Sequence, residues 1–116
     1  MTGESVPTYL VDNMSELHRV CDVKALEPGK GRTFTVAGKC IALFNLDGTF
    51  HAIESECTHE GAPLANGPIR GTGVFCPWHG AEFDITTGEA LSPPADHPVS
   101  VFRVIVAAGE VKVELP

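Results

Sequence analysis

Two short clusters of metal-ligating residues constrain this chain more than any other feature of its sequence. Cys57-Thr58-His59 and Cys76-Pro77-Trp78-His79 each offer one thiolate and one imidazole, and sixteen residues separate them. Two soft sulfurs and two nitrogens fit a single tetrahedral Zn²⁺. They also fit a [2Fe–2S] cluster in which two His replace two Cys on one iron. Gly61 and Gly80 follow the two pairs, and glycine lets the backbone approach a bound centre closely.

The spacing of these clusters resembles the Rieske iron–sulfur signature, C-x-H followed by C-x-x-H. The likeness extends past the four candidate ligands and covers roughly residues 18 to 116. Zinc fingers instead pair each Cys with a second Cys and each His with a second His. The sequence therefore favours the Rieske interpretation over the alternative, a zinc-stabilised interaction domain. The further positions that carry the resemblance are Pro63, Leu64, Gly67, Phe83, Thr87, Gly88, Pro93 and Pro94.

The resemblance implies a role for each candidate ligand. Cys57 and Cys76 would hold the inner iron of a [2Fe–2S] cluster, and His59 and His79 would hold the outer, surface-facing iron. Neutral imidazoles make such a cluster less negative than one held by four cysteines, so an added electron is accommodated more easily. Rieske centres accordingly lie at roughly −150 to +300 mV, above plant-type ferredoxins at about −400 mV.

Four positions depart from the high-potential members of this family. Ala62 and Trp78 stand where respiratory-complex proteins carry two further cysteines, and Ala81 and Phe83 replace a serine and a tyrosine whose hydroxyls donate to sulfur. With fewer donors, the potential is expected near the low end of the Rieske range. The pattern resembles soluble ferredoxins of ring-hydroxylating oxygenase systems. Trp78 could shield the cluster, form part of a docking face, or simply pack.

The resemblance implies a one-electron carrier rather than an enzyme. It would pass electrons from a flavin-dependent ferredoxin reductase to a terminal oxygenase. An oxygenase catalytic subunit needs a second domain with a 2-His-1-carboxylate iron site, and 116 residues are too few to hold one. The alternative is a Rieske-like small accessory subunit of an assimilatory nitrite reductase.

Strand and turn signals predict an all-β fold. The runs Thr33–Val36 and Cys40–Asn45 flank Gly38-Lys39, a candidate tight turn, and Asp47-Gly48 is a strong hairpin signal. The segment 99–106 turns at Gly109 into 111–115, where apolar and charged residues alternate as in a half-buried strand. Asn13–Glu16 resembles a helix-capping sequence, but the family resemblance favours a strand near His18–Asp22.

The predicted layout is one Rieske domain over residues 1–116, with stacked antiparallel sheets. Residues 15–54 and 97–116 would form a β base, and 55–96 an inserted, loop-rich, cluster-binding subdomain. Residues 1–14 would be an N-terminal extension. The resemblance also implies that Pro93-Pro94 lies in a loop that covers the cluster.

Charge and hydropathy exclude several classes of partner. A net charge of −7 with no Lys/Arg cluster disfavours nucleic acid. No apolar run approaches the ~20 residues of a membrane span, and the N-terminus lacks the features of a secretory signal, so we expect a cytoplasmic protein. Acidic residues flank the metal loops, either as a solvated surface or as a docking face for a basic partner. They are Glu54, Glu56, Glu60, Glu82 and Asp84.

The remaining cysteines and histidines lack metal-site spacing. Cys21 and Cys40 lie in apolar surroundings and are predicted to be buried core residues. A disulfide between them stays open, although a reducing cytoplasm disfavours it. His18, His51 and His97 are interpreted as ordinary residues.

Overall fold

The computed structural model of the protein describes residues 16–55, 63–78, 80–93 and 97–115. Helical structure within these residues is limited to two three-residue 3-10 turns, Val23–Ala25 and Leu64–Asn66. Neither is long enough to cross a membrane. The strands are β1 (Glu16–Asp22), β2 (Lys30–Val36), β3 (Lys39–Leu46), β4 (Thr49–Glu54), β5 (Ile69–Arg70), β6 (Gly73–Phe75), β7 (Glu82–Asp84), β8 (Val101–Phe102), β9 (Val104–Ala107) and β10 (Glu110–Leu115).

These strands form three antiparallel sheets, which confirms the predicted fold class. The first sheet has the order β9-β10-β1, the second β2-β3-β4-β8 and the third β5-β6-β7. The first two sheets combine strands from both ends of the described chain, whereas the third comes entirely from its middle. The exact residue boundaries of base and inserted subdomain stay a prediction.

The second sheet is the middle layer, and both of its faces are buried. Ile41 and Leu43 of β3 belong to a core cluster with Val111 and Val113 of the first sheet. Their neighbours on β3 point the other way, as period-two alternation requires, and pack in a second cluster with Val74 and Phe83 of the third sheet. Burial from both sides explains why the sequence of β3 is continuously apolar rather than alternating.

Three two-residue turns connect the long hairpins. Each has a positive φ at both central residues, the geometry of a type I′ turn, whose twist matches that of the flanking strands. The Asp47-Gly48 turn was predicted (φ 57° and 94°). The prediction of Gly38-Lys39 was wrong by one residue, because Lys39 already pairs with Val36 and the turn is Ala37-Gly38 (φ 52° and 80°).

The terminal strands decide two further predictions. The alternation in β10 is confirmed, since Val111, Val113 and Leu115 are buried while Lys112 and Glu114 are partly exposed. The segment around residues 18–22 is a strand, β1, paired antiparallel with β10. The capping sequence at 13–15 lies outside the described residues.

The two remaining cysteines differ from each other. Cys21 is buried as predicted, and burial raises the pKa of its thiol. Cys40 is exposed, so its assignment to the core was wrong. It lies at the turn-proximal end of β3, opposite Thr35 of the edge strand β2, and its side chain points to the face opposite that of the buried Ile41. Neither cysteine forms a disulfide.

Candidate metal centre

Cys76 lies at the tip of the β6–β7 hairpin. Its backbone N–H donates to the carbonyl of Ala81 at 2.6 Å, and the N–H of Gly80 donates back to the carbonyl of Cys76 at 2.9 Å. Gly80 adopts a φ of 76°, which a residue with a Cβ atom adopts only with strain. The six-residue turn from Cys76 to Ala81 is therefore closed by two backbone hydrogen bonds and a glycine.

The turn separates an inward from an outward side chain. Cys76 is 2% exposed and packs in the core cluster with Leu64, Ala81 and Phe83. Trp78, two residues later, is 57% exposed. Packing of Trp78 within the core is therefore excluded, and this ring belongs to the surface at the hairpin tip.

The segment that carries Cys57 and His59 lies outside the described residues, but both of its ends are described. The carbonyl of Ser55 accepts a hydrogen bond from the N–H of Leu64 at 2.8 Å, which brings the chain back beside its starting point. Leu64 and Ala65 then enter the same buried cluster as Cys76. The segment that carries Cys57 and His59 therefore begins and ends close to the buried cluster that contains Cys76.

Gly67 fixes the distance between the two segments. A Cβ atom at Gly67 would lie 2.9 Å from the carbonyl carbon of Phe75, with the carbonyl oxygen closer still. The adjacent N–H of Phe75 donates to the carbonyl of Pro68 at 3.0 Å. The backbone at Gly67 and Pro68, which follows the segment bearing Cys57 and His59, is thus in direct contact with β6, the strand that precedes Cys76.

A returning segment extends the third sheet beyond β7. Phe83 bridges to Ala90, and the N–H of Leu91 donates to the carbonyl of Glu82 at 2.7 Å. The N–H of Glu82 in turn donates to the Ser92 hydroxyl at 2.9 Å. Pro93 therefore directly follows Ser92, the residue whose hydroxyl is hydrogen-bonded to the first residue of β7. Pro94 lies outside the described residues, so a covering loop stays a prediction.

The structure therefore describes one of the four candidate ligands, Cys76. Cys57, His59 and His79 lie outside the described residues, and in the part of the chain that is described no three metal-ligating side chains come together. His18 and His51 belong to strands β1 and β4 of the base.

The surroundings of Cys76 fit an iron–sulfur cluster. A buried cysteine sulfur among apolar side chains is a soft ligand in an apolar environment, which suits Fe–S chemistry. Ala81 and Phe83 are both completely buried in the same cluster of side chains as Cys76. Neither carries a hydroxyl, so neither side chain can donate a hydrogen bond to sulfur.

The acidic residues near the loops have two kinds of role. Glu54 accepts a hydrogen bond from the Ser100 N–H at 2.7 Å, which ties β4 to the chain returning to the base. Asp84 accepts hydrogen bonds from Thr86 within a turn. Charge is nevertheless uneven, because residues 55–96 contain six acidic residues and one basic residue, whereas residues 16–54 contain five of each.

Sequence analysis missed the structural role of Asp84. One carboxylate oxygen of Asp84 accepts hydrogen bonds from the Thr86 N–H (2.8 Å) and hydroxyl (2.6 Å), and the other accepts from the Thr72 hydroxyl at 3.4 Å. Burial alone would raise the pKa of this carboxyl group, but the hydrogen bonds outweigh burial and lower the pKa below its usual value. The local signal was available, because Asp followed by Thr at the second position favours this kind of turn.

Replacing Asp84 by asparagine is expected to lower the free energy of unfolding at pH 7 by about 1 kcal/mol, since hydrogen bonds to a charged acceptor are replaced by neutral ones. Because the folded pKa is depressed, the ionised group stabilises the protein above about pH 4, and this contribution is lost as the pH falls through the folded pKa. Denaturant unfolding at pH 7 and pH 3.5 should show the difference from wild type shrinking on acidification. Glu89→Gln, in the same turn region, is the control. A deficit that does not change with pH would contradict the assignment.

Comparison with known proteins identifies the family of this chain. The family model for the Rieske [2Fe-2S] domain matches residues 16–103. Ferredoxin CarAc of Metapseudomonas resinovorans is 36% identical over 96 residues, which are 82% of this chain and 90% of that protein. A chain of the solved complex of reduced oxygenase and oxidized ferredoxin in carbazole 1,9a-dioxygenase superposes with a TM-score of 0.79 at 36% identity. That match covers 84% of this chain and 91% of the other.

The alternatives are less well supported. A putative nitrite reductase small subunit has a TM-score of 0.73, but its identity of 24% over 84% of this chain and 97% of the other shows a shared fold alone. The match to the Rieske model removes the zinc-stabilised domain, because the family is defined by an iron–sulfur cluster. This chain belongs to the Rieske [2Fe-2S] domain family and binds a Rieske-type [2Fe–2S] cluster.

Proposed function

We propose that this protein is a one-electron carrier that takes electrons from a flavin-dependent ferredoxin reductase and delivers them to a terminal oxygenase. It would not itself transform a substrate. The observation that carries this proposal is the likeness to CarAc along nearly the whole length of that ferredoxin. A cytoplasmic location, expected from the sequence, is part of the same proposal.

The four ligands in this proposal are Cys57, His59, Cys76 and His79. Cys76 is supported by its position at a closed hairpin tip, buried on the side of the core. The cluster supplies reversible exchange of a single electron. The chain contributes the apolar surroundings of Cys76 and an exposed tip where Trp78 can meet a partner.

The residues around Cys76 support a potential near the low end of the Rieske range. Ala81 and Phe83 are buried beside Cys76, and neither side chain offers a hydroxyl to a nearby sulfur. Added negative charge is then stabilised less than in high-potential relatives. A low potential suits a carrier that donates electrons onward.

The charge of residues 55–96 supports a basic docking partner. The excess of acidic residues falls in the segment that bears all four proposed ligands, while residues 16–54 are balanced. An opposite charge on the partner would steer the encounter toward this end of the molecule.

Reconstitution with a reductase and the terminal oxygenase of carbazole 1,9a-dioxygenase tests the proposal. We expect this protein to be coloured, to bleach on one-electron reduction, and to be required for substrate oxidation. Transfer should be at least several-fold faster at 0.01 M than at 0.15 M salt, where the Debye length is about 30 Å and 8 Å. A protein that the reductase reduces but that passes no electrons to the oxygenase would contradict the proposal. A rate indifferent to salt would return the acidic residues to a solvated-surface role.

A further inference from the structure

A groove with a volume of about 540 Å³ opens beside the turn that carries Cys76. Apolar side chains of Ile69, Phe75 and Pro77 line it, and Cys76 itself borders it. Arg70 lies at the same groove. An apolar recess with one cation therefore lies directly beside a proposed iron ligand.

Arg70 is the single basic residue among residues 55–96, where six residues are acidic. Its guanidinium carbon lies 5.5 Å from the centre of the Phe75 ring. Arg19 and Arg103 have carboxylate partners, Glu110 at 2.8 Å and Glu114 at 3.9 Å, whereas Arg32 lies over the Phe34 ring. Within the described residues Arg70 has no carboxylate partner, although its segment is rich in carboxylates.

This arrangement prepares Arg70 to bind a carboxylate from outside. Stacking on an aromatic ring restricts the side chain before binding, so less conformational entropy is lost when a ligand arrives. The planar guanidinium still presents its donors in the fork that matches a carboxylate. The apolar walls beside it would bury the neighbouring side chain of the same ligand.

We propose that this groove is a docking subsite for the terminal oxygenase, and that it receives a surface segment of that partner in which an Asp or Glu carboxylate stands next to an apolar side chain. The inference rests on the proposed function and adds one specific contact, an ion pair between Arg70 and a carboxylate of the partner. A basic partner face would be drawn to the acidic end in general. A single carboxylate on Arg70 would then fix the rotation of the partner about the hairpin tip, since like charges elsewhere disfavour other orientations.

Electron transfer to the terminal oxygenase of carbazole 1,9a-dioxygenase measures the contribution of Arg70. The second-order rate should fall about fivefold in Arg70→Gln and about tenfold or more in Arg70→Glu. Arg32→Gln is the matched control, because Arg32 is also held over a ring, Phe34, at 4.9 Å, but on the base strand β2. It should leave the rate unchanged within about twofold, because Arg32 belongs to a different sheet and does not line the groove.

A partner-independent reaction separates docking from an effect on the cluster. Oxidation of the reduced protein by uncharged p-benzoquinone, together with the visible spectrum, should be the same in Arg70→Gln and wild type. An equal loss of rate with the quinone and with the oxygenase would overturn the proposal, because Arg70 would then act on the cluster. If wild type transfers electrons to the oxygenase normally and the Arg70 variants do so at the same rate, this inference alone is overturned. Failure of wild type to transfer would overturn the proposed function and this inference with it.

Carbodiimide coupling identifies the chemistry of the occupant. Residues 55–96 contain no lysine, so Arg70→Lys introduces the one amine in that segment that can be coupled to a carboxylate. Mass spectrometry of the complex should show Lys at position 70 linked to an Asp or Glu of the oxygenase, with Arg32→Lys as the control for the base. A link only to a second copy of this chain, or no link despite normal electron transfer, would overturn the proposal.

Discussion

Replacing His79 by alanine is expected to abolish the visible absorbance of the purified protein and to reduce its iron content from about two atoms per chain to near zero. A Rieske cluster has just two histidine ligands, both on one iron. Removing one of them therefore removes half of the protein ligands of that iron. The same result is expected for His59→Ala. Iron analysis and the visible spectrum check both.

His51→Ala and His97→Ala are the controls, because these histidines lack a cysteine at the matching spacing. Both should retain the cluster. His79→Cys adds a variant that keeps a ligand at the position and exchanges a neutral imidazole for a thiolate. It should retain colour, with a potential lower by an amount on the order of 100 mV, since all-cysteine clusters lie well below Rieske centres. Normal cluster loading in His79→Ala would overturn the ligand assignment.

Replacing Gly67 by alanine is expected to destabilise the folded protein by about 3 kcal/mol, at the upper end of over-packing costs. The φ of Gly67 is −81°, which alanine adopts freely, so the effect is purely steric. The added methyl group would meet the backbone carbonyl of Phe75, and neither chain can move without breaking the hydrogen bond between Phe75 and Pro68. Thermal unfolding should show a midpoint lower by roughly 10 to 15 °C.

Gly73→Ala is the matched control in the same sheet. A methyl group there would meet the Glu82 carboxylate, which is the end of a flexible side chain and can turn away. Its effect should stay below about 1 kcal/mol. Because Gly67 holds the two ligand-bearing segments together, Gly67→Ala should also lower the fraction of chains that carry the cluster. Equal stability of the two alanine variants would contradict this role for Gly67.

The sequence by itself determined the chemistry of the site and the class of the fold. The spacing of Cys57, His59, Cys76 and His79 is a local property of two short segments, so no tertiary information was needed to propose it. Hairpins such as Asp47-Gly48 were equally local, because a type I′ turn depends on two residues that tolerate positive φ. Alternation in β10 indicated its buried face for the same reason.

The position of each residue within the stack of sheets was decided by the tertiary structure alone. Cys21 and Cys40 have similar apolar neighbours in sequence, yet one is buried and the other exposed, because burial depends on which layer covers the strand at that point. The steric requirement at Gly67 arises from Phe75, and the exposure of Arg70 beside Cys76 arises from the path of β5 along β6. Contacts between segments distant in the chain have no periodicity to reveal them, since they form only when the layers pack.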